Sequence, residues 1–298
     1  SRWTVAQNGY HWVDTKGAFD EESKPIRVLT SAVPLGVKSL VMRYDPVTAE
    51  PALFRNFAEL EPTEEAIQQF ANRYGLLGVS DHILVEHEGK LTMSVGEEFK
   101  VWAREIRDMR HAVEVLEAVE KEDYNELQRR FRVSPGEAAY EHDGRWEWIY
   151  HENIRPDLAT YVAEDDLISP AMFFIQRAVN RKLTEHAAPR LLYNPDQDSM
   201  VLRIVPKNLL GAMWLQLADA IDSTRQFKRC AQCDRWFAVS PSERTSRKFC
   251  SDACKSKNYR TRKEARRLHA AGVPIEEIAS RLEVRADVVQ EWIDKEAE

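Results

Sequence analysis

Long apolar segments are missing from this sequence of 298 residues. No stretch approaches the roughly 18 to 20 consecutive apolar residues that a transmembrane helix needs. The first residues, SRWTVAQNGYHW, also lack the charged and then apolar run of a secretory signal. From these absences we expect a cytoplasmic protein that has no membrane partner.

Signatures of familiar enzymes are missing as well. The chain has 11 glycines, none of them in a glycine-rich phosphate loop, and it contains neither G-x-S-x-G nor H-E-x-x-H. We therefore assign no catalytic residues. A nuclease remains an alternative because acidic and basic residues occur together in one region: Glu152, Asp165, Asp166, Arg177 and Lys182. Scattered carboxylates of this kind are usually solvated surface groups.

Cysteine is scarce, and its positions are informative. All four cysteines lie in one short segment, as C-x2-C and C-x3-C pairs separated by 16 residues: Cys230, Cys233, Cys250 and Cys254. Two close pairs of thiolates can complete a tetrahedral zinc site and leave no position for water. Disulfides are disfavoured because nothing marks the chain for export. The spacing predicts one structural zinc ion per chain.

Positive charge is concentrated in the same segment. The net charge of the chain is −7, yet residues 227–267 carry 13 lysines and arginines against four aspartates and glutamates. A basic patch beside an acidic body indicates a polyanionic partner that meets one part of the surface. We therefore predict DNA as the partner of this segment.

The sequence around the cysteines predicts a treble clef, which is a hairpin followed by a helix. Phe227, Trp236 and Phe237 suit short strands around the first pair. Ser251 can cap a helix that begins at the second pair and continues to Gly272. We predict that six basic residues of this helix contact phosphates: Lys257, Arg260, Arg262, Lys263, Arg266 and Arg267.

Residues 268–298 resemble the helix-turn-helix of resolvase-type and regulator proteins. Six apolar or small residues occupy the packing positions of that pattern: Ile278, Ala279, Leu282, Val284, Val289 and Trp292. Arg285 and Gln290, in the second helix, are predicted to read base edges. The alternative is a packing unit without DNA contact, because the segment carries three basic and eight acidic residues.

A wider resemblance covers the zinc-binding segment. The sequence CAQCDRWF, followed by KFCSDACKSKNYRTRK, is similar to the zinc fingers of CGNR-type bacterial proteins. In those proteins a larger ABATE domain precedes the treble clef, so the resemblance implies an ABATE-like N-terminal domain here. The segments RNFAELEPTEEAIQQFANRYGLLG and NLLGAMWLQLADAID also resemble an uncharacterised bacterial family with such a zinc-bearing tail. The resemblance implies no activity.

Residues 1–226 are predicted to form a mixed α/β body. Apolar runs such as PIRVLTSA and MVLRIVP indicate strands, and helices are expected at 63–75, from 169 to about 186, and at 208–221. A longer helix has apolar residues in a heptad stripe: Phe99, Trp102, Ile106, Met109, Val113 and Leu116. We favour packing of the stripe within its own domain over the alternative, a homodimer seam.

The sequence thus predicts an α+β N-terminal domain (1–226), a four-cysteine treble clef with a basic helix (227–267) and a helix-turn-helix (268–298). The predicted function is DNA binding, as a bacterial transcriptional regulator whose body senses a signal or dimerises. Two alternatives remain open: an enzyme or toxin that acts on nucleic acid, and a protein-interaction adaptor.

Overall fold

The computed structural model describes residues 3–15, 26–31, 41–79, 81–87, 90–134, 136–142, 144–151, 166–223, 226–239 and 246–294. Within these ranges the chain is a mixed α/β protein. It divides into two compact units, Ser1–Ser223 and Thr224–Glu298. Among the described residues, no helix is both long enough and apolar enough to cross a membrane.

The strands of the N-terminal unit pair in antiparallel fashion throughout the described ranges. In chain order they are β1 (Trp3–Ala6), β2 (Tyr10–Thr15), β3 (Ile26–Ser31), β4 (Val41–Tyr44), β5 (Asp81–His87), β6 (Lys90–Glu98), β7 (Phe131–Ser134), β8 (Glu137–His142), β9 (Arg145–His151), β10 (Ala187–Asn194) and β11 (Ser199–Pro206). They form a four-stranded sheet in the order β2-β3-β6-β5, a three-stranded sheet β7-β8-β9, and the pairs β1-β4 and β10-β11.

The helices of this unit are α1 (Pro46–Ala49), α2 (Leu53–Ala58), α3 (Glu64–Tyr74), α4 (Phe99–Glu120), α5 (Tyr124–Arg130), α6 (Ile168–His186) and α7 (Leu209–Asp222). The helix predicted at 63–75 is confirmed. Thr63 accepts a hydrogen bond at Oγ1 from the Ala66 amide (3.3 Å), and Gly75 ends the helix with a φ of 91°.

The heptad stripe of α4 belongs to the core of the N-terminal unit. Trp102, Ile106 and Met109 are at most 1% exposed, and the helix packs against α2 and α6. The interpretation as a helix packed on its own domain is therefore confirmed. Since these side chains are buried within a single chain, they cannot contact a second copy, and the stripe is not a homodimer seam.

The C-terminal unit comprises β12 (Gln226–Arg229), β13 (Trp236–Val239), α8 (Asp252–Ala270), α9 (Ile275–Leu282) and α10 (Ala286–Asp294). The strands form an antiparallel hairpin, and the three helices pack on one another. The helices share a small core: Ala265, Leu268, Ile278, Ala279, Val289 and Trp292, with Leu282 and Val284 partly buried against it. All six apolar positions singled out in residues 268–298 thus meet in one cluster.

Glu283 ends α9 in an unusual backbone conformation. Its φ of 53° and ψ of 43° lie in the left-handed region, which glycine adopts at little cost. The Val284 amide donates a 3.0 Å hydrogen bond to the Ala279 carbonyl across this turn. The turn therefore forms with a side chain at a position where glycine is more common in the helix-turn-helix pattern.

Candidate metal centre and basic helix

The four cysteines come from two chain segments that fold together. Cys230 follows β12, Cys233 lies in the turn before β13, and Cys250 and Cys254 lie at the start of α8. All four thiols are free, and their sulfur atoms lie within 4.8 Å of one another. No other group of three or more histidine, cysteine or carboxylate ligands this close together occurs in the described ranges.

Backbone hydrogen bonds shape the turn that carries the first pair. The Cys230 amide donates to the Arg235 carbonyl (2.9 Å), and the Asp234 amide donates to the Cys230 carbonyl (2.9 Å). Asp234 closes the turn with a φ of 55°. The Ala231 amide also donates to the Lys248 carbonyl (2.9 Å), which ties the turn to the segment of the second pair.

The second pair is fixed by a helix cap and an arginine. The Cys254 amide donates to Ser251 Oγ (3.2 Å), as the sequence predicted for the start of α8. Arg247 donates to the carbonyl oxygens of Phe249 (3.0 Å) and Cys250 (2.8 Å). These contacts hold the backbone on both sides of the Cys250 thiol.

The sulfur separations match those of a tetrahedral metal site. The Sγ atoms of Cys233 and Cys250 are 3.7 Å apart, and those of Cys250 and Cys254 are 3.5 Å apart. A metal with sulfur bonds of about 2.3 Å requires sulfur-to-sulfur edges of about 3.8 Å. The four cysteines could therefore hold a metal ion.

Their surroundings affect the thiols unequally. Burial, together with the neighbouring thiols, raises the pKa of Cys250 to about 12. Burial also acts to raise the pKa of Cys230, but hydrogen bonds from the backbone amides of Cys250, Gln232 and Cys233 lower it to about 7. Four thiolates this close repel one another, so complete ionisation of the set requires a bound cation.

Comparisons with protein families, with curated proteins and with solved structures each found no match. No family is assigned to the chain on this basis, and its sites are interpreted from their own residues.

Helix α8 begins at the metal ligands and presents two different sides. Ala265 and Leu268 are buried against α9 and α10. An α-helix turns about 100° per residue, and on this geometry an arc of about 160° opposite those two residues carries basic and aromatic side chains. We call the basic and aromatic residues of this arc the basic face: Lys255, Tyr259, Arg260, Arg262, Lys263, Arg266 and Arg267; Asp252, Ser256 and Ala270 share the arc with them.

The predicted phosphate contacts differ in their availability. Arg260 and Lys263 are exposed on the basic face, whereas Lys257 is exposed but lies beside the packed side. Arg266 donates to the Trp292 carbonyl at 3.2 Å and so holds α10 against α8. Arg267 is paired with Glu264 at 2.7 Å.

Two residues of the basic face, Lys255 and Tyr259, were not among the predicted contacts. Tyr259 is 69% exposed between two turns of basic residues. Its spacing of four residues from both Lys255 and Lys263 is the signal that could have revealed it, because residues four apart share a helix face. A tyrosine ring among cations offers a flat surface for a sugar or a base.

The predicted base-reading residues are both exposed: Arg285 directly precedes α10, and Gln290 lies within it. The polar end of each side chain donates a hydrogen bond to a nearby aspartate. Arg285 Nε donates to Asp287 Oδ1 at 3.0 Å, and Gln290 Nε2 donates to Asp294 Oδ1 at 2.7 Å. Both partners lie on α10 itself. The exposed ion pair of Arg285 contributes about 0 to 1 kcal/mol and the exposed hydrogen bond of Gln290 about as little, so either side chain can exchange its partner for another.

The residues considered for a nuclease site have separate structural roles. Lys182 is buried in an ion-pair cluster with Glu105 and Asp108, and Asp166 accepts hydrogen bonds from the first amides of α6. Arg177 donates to the Trp148 carbonyl at 2.8 Å. The other two, Glu152 and Asp165, lie outside the described residues.

Proposed function

We propose that the cysteine cluster holds one structural zinc ion and that the C-terminal unit is the DNA-binding part of a transcriptional regulator. The donor set supports zinc because four close thiolates favour a soft, tetrahedral ion. Four protein ligands fill the coordination sphere. The ion would thus stabilise the fold and would not activate water.

We interpret the architecture as a treble clef followed by a helix-turn-helix. A hairpin supplies the first two ligands and the start of a helix supplies the others. The apolar core shared by α8, α9 and α10, with the tight turn at Glu283, supports the second part. In this interpretation α10 is the helix that enters the major groove.

The observation that carries the proposal is the basic face of α8. The metal ligands anchor one end of this helix, and its apolar residues anchor the other. The cations between these anchors are held at fixed spacing on the side that faces away from the core. Such an array can contact successive phosphates without ordering a flexible chain first.

The acidic residues of 268–298 favour the alternative of a packing unit, and α10 alone would bind phosphate poorly. The basic face supplies the charge that this segment lacks. Arg285 and Gln290 would then read bases after leaving Asp287 and Asp294. These two roles can be tested separately. The affinity contributed by phosphate contacts falls steeply as the salt concentration rises, whereas the affinity contributed by base contacts falls much less.

The test is a titration of zinc-loaded protein on a selected DNA fragment and on a scrambled one, at several salt concentrations. We expect Arg260→Ala to weaken binding to both fragments alike and to flatten the log–log salt slope by about one unit. Lys257→Ala is the matched control, since it removes the same charge from the same helix outside the basic face. We expect it to leave the slope within about 0.3 of the parent value.

The same titration examines the base-reading residues. Arg285→Ala and Gln290→Ala should each relax the preference for the selected fragment by roughly 1 to 3 kcal/mol at one base pair, with the slope unchanged. If neither changes the preference, α10 does not read DNA. Cleavage of the fragments would favour a nucleic-acid enzyme, and absence of binding to both would favour a protein-interaction adaptor.

A further inference from the structure

The hairpin β10–β11 presents an apolar face that the described residues of this chain leave open to solvent. Directly opposed residues of the two strands share a face of the hairpin. The register places three such pairs on one side: Pro189 with Ile204, Leu191 with Leu202, and Tyr193 with Met200. We call this side the hairpin face.

The residues of the hairpin face are exposed to an unusual degree. Leu191, Tyr193, Met200, Leu202 and Ile204 are 55% to 68% exposed, and none of the six residues carries a charge. The Tyr193 hydroxyl donates to Asp198 Oδ1 at 2.7 Å, so the hairpin itself satisfies the polar end of that ring. Contiguous apolar patches of this kind mark interaction sites on soluble proteins.

The other side of the hairpin has a different character. It carries Arg190 opposite Arg203, and Leu192 opposite Val201. Strand alternation thus confines the two arginines to this side, which also carries an apolar pair, and leaves the hairpin face without charge. A two-stranded hairpin is marginally stable in water unless its apolar face is packed.

We propose that the hairpin face is a homodimer interface, on which the same face of a second copy packs about a two-fold axis. The area supports this occupant, because the six exposed side chains would bury on the order of 600 Å² per copy, or about 1,200 Å² in all, at the lower end of specific interfaces. A nucleic acid or a charged peptide is disfavoured, since the face offers no charge to pair with. An uncharged face is also compatible with itself, as a two-fold interface requires.

The copies pack face to face and not edge to edge. Pairing of strand edges would extend the sheet but would leave both apolar faces in water. Packing of the faces removes the apolar area of both copies at once. The proposal is independent of DNA binding, and it assigns the dimer to a different element from the heptad stripe of α4, which the N-terminal unit buries.

The test is the molar mass of the full zinc-loaded chain, by sedimentation equilibrium from about 1 to 100 µM, a range that spans typical dimer affinities. The parent should approach twice the mass of one chain. Leu202→Glu places a carboxylate at each side of the interface and should raise the dissociation constant about 100-fold or more. Since Leu202 is 68% exposed in the single chain, the variant should remain folded.

Leu192→Glu is the matched control, because it introduces the same charge on the same hairpin but on the side of Arg190 and Arg203. It should change the dissociation constant less than about threefold, which is under 1 kcal/mol. A parent that stays monomeric at all concentrations overturns the proposal and assigns the face to a different partner. A dimer that resists Leu202→Glu, or that both variants weaken equally, also overturns it.

A second measurement decides the matter if Leu202→Glu fails to fold. Amide hydrogen exchange of the parent should slow in residues 187–206 as the protein concentration rises through the dimer transition. Exchange in this segment that does not depend on concentration overturns the proposal.

Discussion

The N-terminal unit buries several of its largest side chains completely, whereas the C-terminal unit buries two small clusters, one of which is built around thiols. Trp102, Trp214, Phe54 and Phe57 are all inaccessible in the first unit. In the second, Phe237 and Val239 pack beside Cys230, and the three helices share a core of six residues. The larger unit can fold by hydrophobic burial, whereas a unit with so little apolar volume would gain much of its stability from a metal held by the four cysteines.

Charge is used differently in the two units as well. Lys182 and Glu105 have side chains only 6% and 3% exposed, so their ion pair is part of the interior. The pair of Arg285 and Asp287 in the C-terminal unit has side chains 80% and 61% exposed. Buried charges must keep their partners, whereas exposed charges can exchange them for a ligand.

The largest expected effect is the loss of metal from the C-terminal unit. Cys250→Ser, or chelation, should remove the ion and with it on the order of 10 kcal/mol of folding free energy, so that the hairpin and the start of α8 unfold. Metal content and amide hydrogen exchange would be measured on the same samples. The N-terminal unit should keep its exchange rates.

Ser251→Ala serves as the control, since it removes the helix cap beside Cys250 and leaves every ligand in place. This variant should keep the metal, and its free energy of unfolding should fall by about 1 kcal/mol. Faster exchange in the N-terminal unit after chelation would show that the two units do not fold independently.

The second effect concerns the buried ion pairs of the N-terminal unit. Lys182→Met removes the buried cation shared by Glu105 and Asp108 and leaves them only the more exposed Arg104 and Arg181, so it should lower the free energy of unfolding by up to about 3 to 5 kcal/mol. The denaturation midpoint would be measured, with metal content expected to stay unchanged. Lys100→Met is the control: it removes an exposed partner of Glu98 and should lower the free energy of unfolding by no more than about 0.5 kcal/mol. Equal effects of the two changes would mean that Lys182 is solvated.

The smallest effect concerns the turn after α9. Glu283→Gly should stabilise the C-terminal unit by about 0.5 to 1 kcal/mol, because glycine adopts the left-handed conformation without strain. Ser280→Gly, an exposed position inside α9, should destabilise it by about the same amount. Thermal unfolding of the metal-loaded protein would compare the two. A loss of stability in both would contradict the observed φ of Glu283.

Local patterns in the sequence predicted those features that depend on neighbouring residues. The cap at Thr63, the stop at Gly75, the start of α8 at Ser251 and the apolar positions of α9 and α10 were all found in this way. The strands β7–β9 were not predicted, although each of them pairs with its neighbour along the chain.

Sequence alone determined that four thiols and a dense set of cations share one segment, since spacing and composition are properties of the chain itself. It could not show which cations remain available. Arg266 holds the Trp292 carbonyl, and Lys257 lies off the basic face, because helix packing decides which side turns outward. In the same way, the apolar residues of β10 and β11 are as hydrophobic as those of the heptad stripe. Only the tertiary structure buries one set and exposes the other, because burial depends on what packs over a side chain and not on the side chain alone.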